Sequence, residues 1–330
     1  DMKDTAVYKQ LEDSSVALTD GDKVVGVPYV LESYGIIYNK ELLQKYFSLP
    51  DATVTSIDKL NSFKALKSVA DGIQKHKDEL GVQGAFTSAG FDSSSDWRFK
   101  SQLAGVPLYY EFKADGITEQ PAKITGSTLQ NFKNIFDLYI TDSTQLSSKT
   151  GEDANSEFAL GDAVFYQNGT WAWTDLSSAG VEADNVGMLP IYIGAKGEED
   201  QGLTTGSENY WCINSKASER DRKATADFLK WMITSKDGKN ALAVEMGFST
   251  PFKTFSDVKT ENPLIDAYTK SLKEGKKSIP WTYTMIPSEQ WKNDLGSALL
   301  EYAQGTGSWD KVKSAYVDGW ATEYAAANKG

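Results

Sequence analysis

The sequence predicts an α/β fold. Short apolar runs with strand character are interleaved with longer segments whose apolar residues recur at helical spacing. No internal repeat and no low-complexity tract interrupts this alternation. At 330 residues the chain is long enough for two domains or one large one.

In order, Lys23–Val27 and Tyr34–Tyr38 read as strands, the first closed by Pro28. Asn39, followed by Lys40 and Glu41, reads as a helix start. A longer helix is expected from Thr55 or Ser56, with Leu60, Phe63, Leu66, Val69 and Ile73 on one face. Gly81 to Asp96, rich in Gly and Ser, reads as a loop after a short strand. Leu129, Phe132, Ile135, Phe136 and Tyr139 mark a further amphipathic helix. Val186–Leu189 and Tyr210–Ile213 read as strands, and residues 194–208 as a solvated loop between them. Phe228, Leu229, Met232 and Ile233 define a helix ending near Gly238, and a second helix runs to Gly247. Trp291, Leu295, Ala298 and Tyr302 share one helical face, closed by Gly305. Val312, Tyr316, Trp320 and Tyr324 mark the last helix.

Composition narrows the function. The net charge is −12, with no basic stripe to meet phosphates, which argues against nucleic acid, anionic membranes and polyanions as partners. One cysteine, Cys212, excludes an internal disulfide and a Cys-rich zinc site, and with one histidine, His76, the composition argues strongly against His-based metal sites and Ser–His or Cys–His nucleophiles. Cys212 sits in an apolar strand-like run and is expected to be a buried thiol, whereas His76 lies among charges at a solvated helix end. Neither a metal nor a cofactor is expected. No stretch is apolar and long enough to span a bilayer.

Aromatic residues are abundant, with 9 Trp and 16 Tyr, and one pair is placed conspicuously. The strand Ala163–Tyr166 is expected to end in a polar turn, Gln167–Thr170, which delivers Trp171 and Trp173. Flat aromatic faces beside polar groups suit a ligand with apolar faces and polar edges, as a sugar ring has. The competing reading places both indoles in the core.

Several segments, taken in order, carry a resemblance. They are Asp22–Tyr29 with Tyr34–Leu43, Glu157–Trp171, Gly206–Trp211, Ala226–Trp231, Met246–Pro251, and Trp291–Leu295 with Gly305 and Trp309. In this order the chain resembles the extracytoplasmic solute-binding proteins of ABC importers, in the carbohydrate-binding group that includes maltose-binding protein. The likeness is closest to oligosaccharide binders of gut Gram-positive bacteria.

The resemblance implies a two-lobed fold of the periplasmic-binding-protein type with hinge crossovers. Residues 1–30 and 206–256 would form the first lobe, and 31–205 and 257–330 the second. Relatives carry an opening stretch before the match to Lys23–Val27, so the first lobe is expected to be incomplete in this chain. The implied function is non-enzymatic binding of a neutral oligosaccharide and its delivery to an ABC permease. The location would be extracytoplasmic, with membrane attachment only through a lipid anchor outside this chain.

Carried over residue by residue, the resemblance implies stacking by Trp171 and Trp291, an apolar contact from Trp281, and hydroxyl acceptance by Glu32 at the crossover. Asp92 matches a cleft loop, Glu208 and Asn209 lie in the second crossover, and Asn168 and Trp173 flank Trp171. Trp97, Trp211, Trp231, Trp309 and Trp320 read as packing residues, and Arg98 as an ion-pair partner. A glycoside hydrolase is the main alternative, but no ordered carboxylate pair and no eightfold strand–helix repeat supports it. A surface carbohydrate-binding or adhesin-like protein is a further alternative.

Overall fold

The computed structural model describes residues 1–91, 94–144 and 149–329. Among these, nine strands form two sheets. In chain order they are β1 (Leu18–Asp20), β2 (Lys23–Pro28), β3 (Glu32–Asn39), β4 (Gly84–Thr87), β5 (Ala163–Gly169), β6 (Val186–Leu189), β7 (Gln201–Gly206), β8 (Tyr210–Trp211) and β9 (Lys277–Pro280). The smaller sheet has the order β1-β2-β8 and is antiparallel. Its Val24 and Val27 pack with Val7, with Leu229 and Ile233 of the helix Glu219–Thr234, and with Phe252 and Phe255.

The larger sheet is built around β3. One edge of β3 pairs antiparallel with β5, from Tyr34↔Gly169 to Tyr38↔Phe165. The other edge is shared: β7 takes Glu32 to Tyr34 and β6 takes Ile36 to Asn39. β4 extends the sheet beyond β5, and β9 beyond β7, both in parallel pairs. Alternate side chains supply two cores. Ile36, Phe165 and Leu189 join one cluster, while Ile37, Tyr166 and Met188 join the other. Both faces are covered, so the run Ile36-Ile37 is fully buried without the polar alternation of a one-faced strand.

The sheets mark two lobes. Two connections run directly between them, β2 to β3 through Tyr29–Leu31 and β7 to β8 through Ser207–Asn209. The Tyr29 amide donates to the Asn209 carbonyl at 3.3 Å, and the Leu31 amide to the Ser249 carbonyl at 2.6 Å.

Local signals account for most helix starts. Asn39 caps the helix Lys40–Phe47 by accepting from the Leu42 amide. Thr150 and Asp153 form a reciprocal capping box on Gly151–Leu160. Three expectations are corrected. The helix expected from residue 55 or 56 starts at Phe63, because the Ser62 hydroxyl accepts from the Ala65 amide and Leu60 leaves helical geometry. Residues 194–208 contain β7, whose Thr204 is buried and donates its hydroxyl to the Tyr34 carbonyl at 3.0 Å. A polar strand of this kind is stabilised by its neighbours and leaves little trace in hydrophobic pattern. Cys212 is exposed, because the strand it follows ends at Trp211.

Two buried carboxylates pin loops. Glu198 accepts from the amides of Phe63, Ile193 and Gly194 at 2.7–2.8 Å, tying a loop to a helix N-terminus. Glu111 is fully buried and accepts from the amides of Thr125, Gly126 and Ser127 and from the Thr125 hydroxyl, at 2.5–3.2 Å. Replacing it would remove the shared acceptor of three loop amides and leave its buried site unfilled. Glu111→Ala is expected to lower the unfolding free energy by about 3 kcal/mol. A chemical-denaturation midpoint equal to that of the parent chain would contradict this role.

Candidate functional site

Because β5 and β7 run antiparallel to β3, and β9 parallel to β7, the C-terminal ends of β5, β7 and β9 lie beside the N-terminus of β3. A cavity of about 560 Å³ opens there. Glu32 enters it from the start of β3, and Glu208 and Asn209 from the second inter-sheet connection. Trp171 follows β5, and Trp281 and Tyr283 follow β9. Asp96 and Trp97, with Lys100, Ser101 and Gln102 of the π-helical turn Arg98–Leu103, form a further wall. Glu289 and Lys292 complete it from the first turn of the helix Glu289–Ala303.

Two glycines make room for two of the rings. A Cβ on Gly169 would fall 2.1 Å from the Trp171 ring, and one on Gly206 would fall 2.6 Å from that of Trp281. Neither substitution could be accommodated without moving an indole. Tyr34, buried on β3, supports the aromatic wall from behind, with ring centroids 5.9 Å from Trp171 and 6.0 Å from Trp97. Trp97 lies 5.8 Å from Trp171, and the Arg98 guanidinium sits 4.3 Å from the Trp97 ring centroid.

The charges are unevenly satisfied. Lys100 is paired with Asp96 at 2.7 Å and donates to Asn293, and Lys292 is paired with Glu289. Glu32 has neither a cation nor a hydrogen-bond donor of its own among the described residues. Burial, and then the neighbouring Glu208 charge, push its carboxyl up to about 7. Glu208 keeps an exposed surface, yet desolvation in the cleft raises it too, against the pull of Lys292. The same two carboxylates, after burial, raise the Tyr283 phenol. The site therefore combines aromatic faces, two acceptors without protein donors, and a few neutral polar groups.

Of the expected site residues, Glu32, Trp171, Glu208, Asn209 and Trp281 meet in this cavity. Asp92 lies outside the described residues. Three others are corrected. Trp291 is fully buried, and its indole N–H donates to the Tyr316 carbonyl at 3.0 Å. It shares the core face of its helix with Leu295 and Ala298, and the next residue, Lys292, is the one that reaches the cleft. Asn168 is buried because β5 continues to Gly169 where a turn was expected. Its amide is spent on the Tyr166 hydroxyl at 2.7 Å and the Gly169 amide at 2.9 Å. Trp173, on the helix Ala172–Ser178, packs against the cluster containing Ile37 and Phe158 and does not line the cavity.

Among the residues read as packing, Trp97 instead lines the cleft, and Trp231 is 46% exposed. Arg98 is buried with no carboxylate within ion-pair distance among the described residues; it stacks on Trp97 instead. Asp96, Lys100, Ser101, Gln102, Tyr283, Glu289 and Lys292 were not anticipated. The one available signal was the match of the segment around Asp92 to a cleft loop, which Asp96 and Trp97 directly follow.

Residues 1–274 match the family model described as bacterial extracellular solute-binding protein. The chain belongs to that family. Solved structures agree in fold. RafE from Streptococcus pneumoniae is 16% identical with a TM-score of 0.70, over 98% of this chain and 78% of that one. A sugar transporter protein of Bacillus licheniformis, solved in complex with stachyose, is 17% identical with a TM-score of 0.71, over 98% and 80%. The GacH receptor of Streptomyces glaucescens, described unliganded and with acarbose, is 19% identical with a TM-score of 0.67, over 98% and 78%. At these identities the comparison establishes the two-lobed solute-binding fold. The matched family is extracellular, and among the described residues of this member no helix is long and apolar enough to cross a membrane.

Two outcomes follow. Trp291→Ala should cost about 3–5 kcal/mol of stability by opening a core cavity, and Trp171→Ala far less. Denaturation curves in which Trp171→Ala is the more damaging would reverse the assignment. The second concerns pH. Glu32 holds its proton to a higher pH when folded than its ordinary value of 4.5. Its contribution is fully present below that value and is lost as pH rises through about 7. Between about pH 5 and about pH 8, the parent chain should therefore lose melting temperature relative to Glu32→Gln. Parallel melting-temperature curves for the two chains would contradict the shift.

Proposed function

We propose that this solute-binding protein captures a neutral oligosaccharide in the cleft between its lobes and delivers it to an ABC permease, without chemical conversion. The observation that carries this reading is the pairing of three tryptophan rings with two donor-free carboxylates in one cavity. Indole faces pack on the C–H faces of sugar rings, and carboxylates accept charge-assisted bonds from hydroxyls. The solved relatives with raffinose and with stachyose support the ligand class.

Lobe boundaries near residues 30, 206 and 256 fit this mechanism. Glu32, Glu208 and Asn209 then lie on or beside the crossovers, where one ligand can engage both lobes as they close. Family membership supports an extracytoplasmic site of action and a permease partner. A lipid anchor outside this chain, at a Gram-positive cell surface, is part of the same proposal and rests on the sequence resemblance.

Calorimetric titration with raffinose, stachyose and maltotriose, backed by thermal shift, tests the reading. At least one sugar should bind and raise the melting temperature. Its affinity should stay nearly constant over about a tenfold range of ionic strength, because a neutral ligand has no charge to screen. Trp171→Ala should weaken binding by about 1–3 kcal/mol. The sugar should be recovered uncleaved after incubation. Release of reducing sugar would favour a hydrolase, which would also draw on Glu32 and Glu208.

A further inference from the structure

Ser101 and Gln102 differ from the other polar side chains around the cleft. They are 6% and 4% exposed, and neither side chain has a hydrogen-bond partner among the described residues. Both line the main cavity. Both also line an adjoining pocket of about 10 Å³, shared with Trp281 and Thr282. That space is sufficient for one water or one hydroxyl. The Trp281 indole N–H and the Thr282 hydroxyl at this small pocket are themselves fully buried without partners.

The local backbone explains the placement. Residues 98–103 form a π-helical turn, which inserts one residue per turn and shifts the helical phase. Phe99 and Leu103 remain in the core at 0% exposure, while Lys100 turns to Asp96 and Asn293. Ser101 and Gln102 are left against the cavities. With no protein partner, the Ser101 hydroxyl and the Gln102 amide are left to whatever occupies the cavities they line.

We propose that Gln102 and Ser101 form the specificity-determining polar floor of the sugar site, hydrogen-bonding the hydroxyls of a single ring. This rests on the oligosaccharide reading and extends it. The chemistry complements the opposite side of the cleft. Glu32 and Glu208, when ionised, only accept, whereas the Gln102 amide both donates and accepts and the Ser101 hydroxyl does the same. An amide can bond two neighbouring hydroxyls of one pyranose through its C=O and its NH2. A ring lacking one of them leaves a buried polar atom unpaired, which is the strongest form of discrimination between sugars. The ligand class selected is an oligosaccharide with free neighbouring hydroxyls on the ring that reaches this floor.

The test uses the full chain and whichever of raffinose, stachyose or maltotriose gives a thermal shift. Gln102→Met keeps the side-chain volume and removes the amide. It is expected to weaken binding about tenfold or more while the melting temperature of the free protein is maintained. A monodeoxy analogue of the bound sugar should bind the parent chain weakly and Gln102→Met no more weakly than the intact sugar does. That loss of discrimination is a signature a merely structural residue would not give. If Gln102→Met does not fold, Ser101→Ala and the same analogues decide the matter by the same criterion. Unchanged affinity and discrimination in these variants, alongside lost binding in Trp171→Ala, would overturn this proposal and leave the sugar site standing. A thermal shift with none of the three sugars would overturn the sugar reading, and this inference with it.

Discussion

The register of β3 against its neighbours governs where everything else in the cleft lies. Tyr34 stands opposite Gly169 on one side and Thr204 on the other, and Glu32 stands opposite Gly206. The side-chain period of a strand is two, so a slip of one residue would exchange its faces. Tyr34 would leave the back of the aromatic wall, and Glu32 would leave the cavity. The glycines opposite are part of the same constraint, since the Trp171 and Trp281 rings occupy space a Cβ would need. The strand is held in place by packing on both faces and pairing on both edges, which resists such a slip.

On this frame the electrostatics follow from position. Lysines and acids on the helical wall neutralise each other, whereas the acids at the inter-sheet connections have no such partner. A hydroxyl donor placed against Glu32 would replace water lost on burial and favour the ionised form. Glu32 and Glu208 line the cavity and also lie on or beside the connections where the chain passes from one sheet to the other.

Much of the architecture was legible in the chain. The strands at Lys23–Val27, Tyr34–Tyr38 and Val186–Leu189 and the helices through Leu129–Tyr139 and Val312–Tyr324 follow apolar periodicity, which is a local property. β7 was not legible. Gln201, Gly202, Thr204 and Thr205 carry no strand pattern and are ordered by β3 and β9. The continuation of β5 through Gln167 and Asn168 was hidden for the same reason: their burial follows from pairing with β3.

The candidate site divides along the same line. The sequence by itself pointed to tryptophans and carboxylates, and of those it singled out, Glu32, Trp171, Glu208, Asn209 and Trp281 meet in one cavity. Only the tertiary structure decided between the two meanings of a tryptophan. Trp291 had been read on one helical face with Leu295 and Ala298, and that face is the core. Trp97 had been read as packing, and at the start of the π-helical turn it proves to be part of the cleft wall. An indole has the same composition in either place. Whether it packs protein or faces a cavity depends on which distant elements cover it, and that is settled when the sheets and helices assemble. Ser101 and Gln102 make the same point: a π-helical turn sets their direction, and only packing shows that they have no partner.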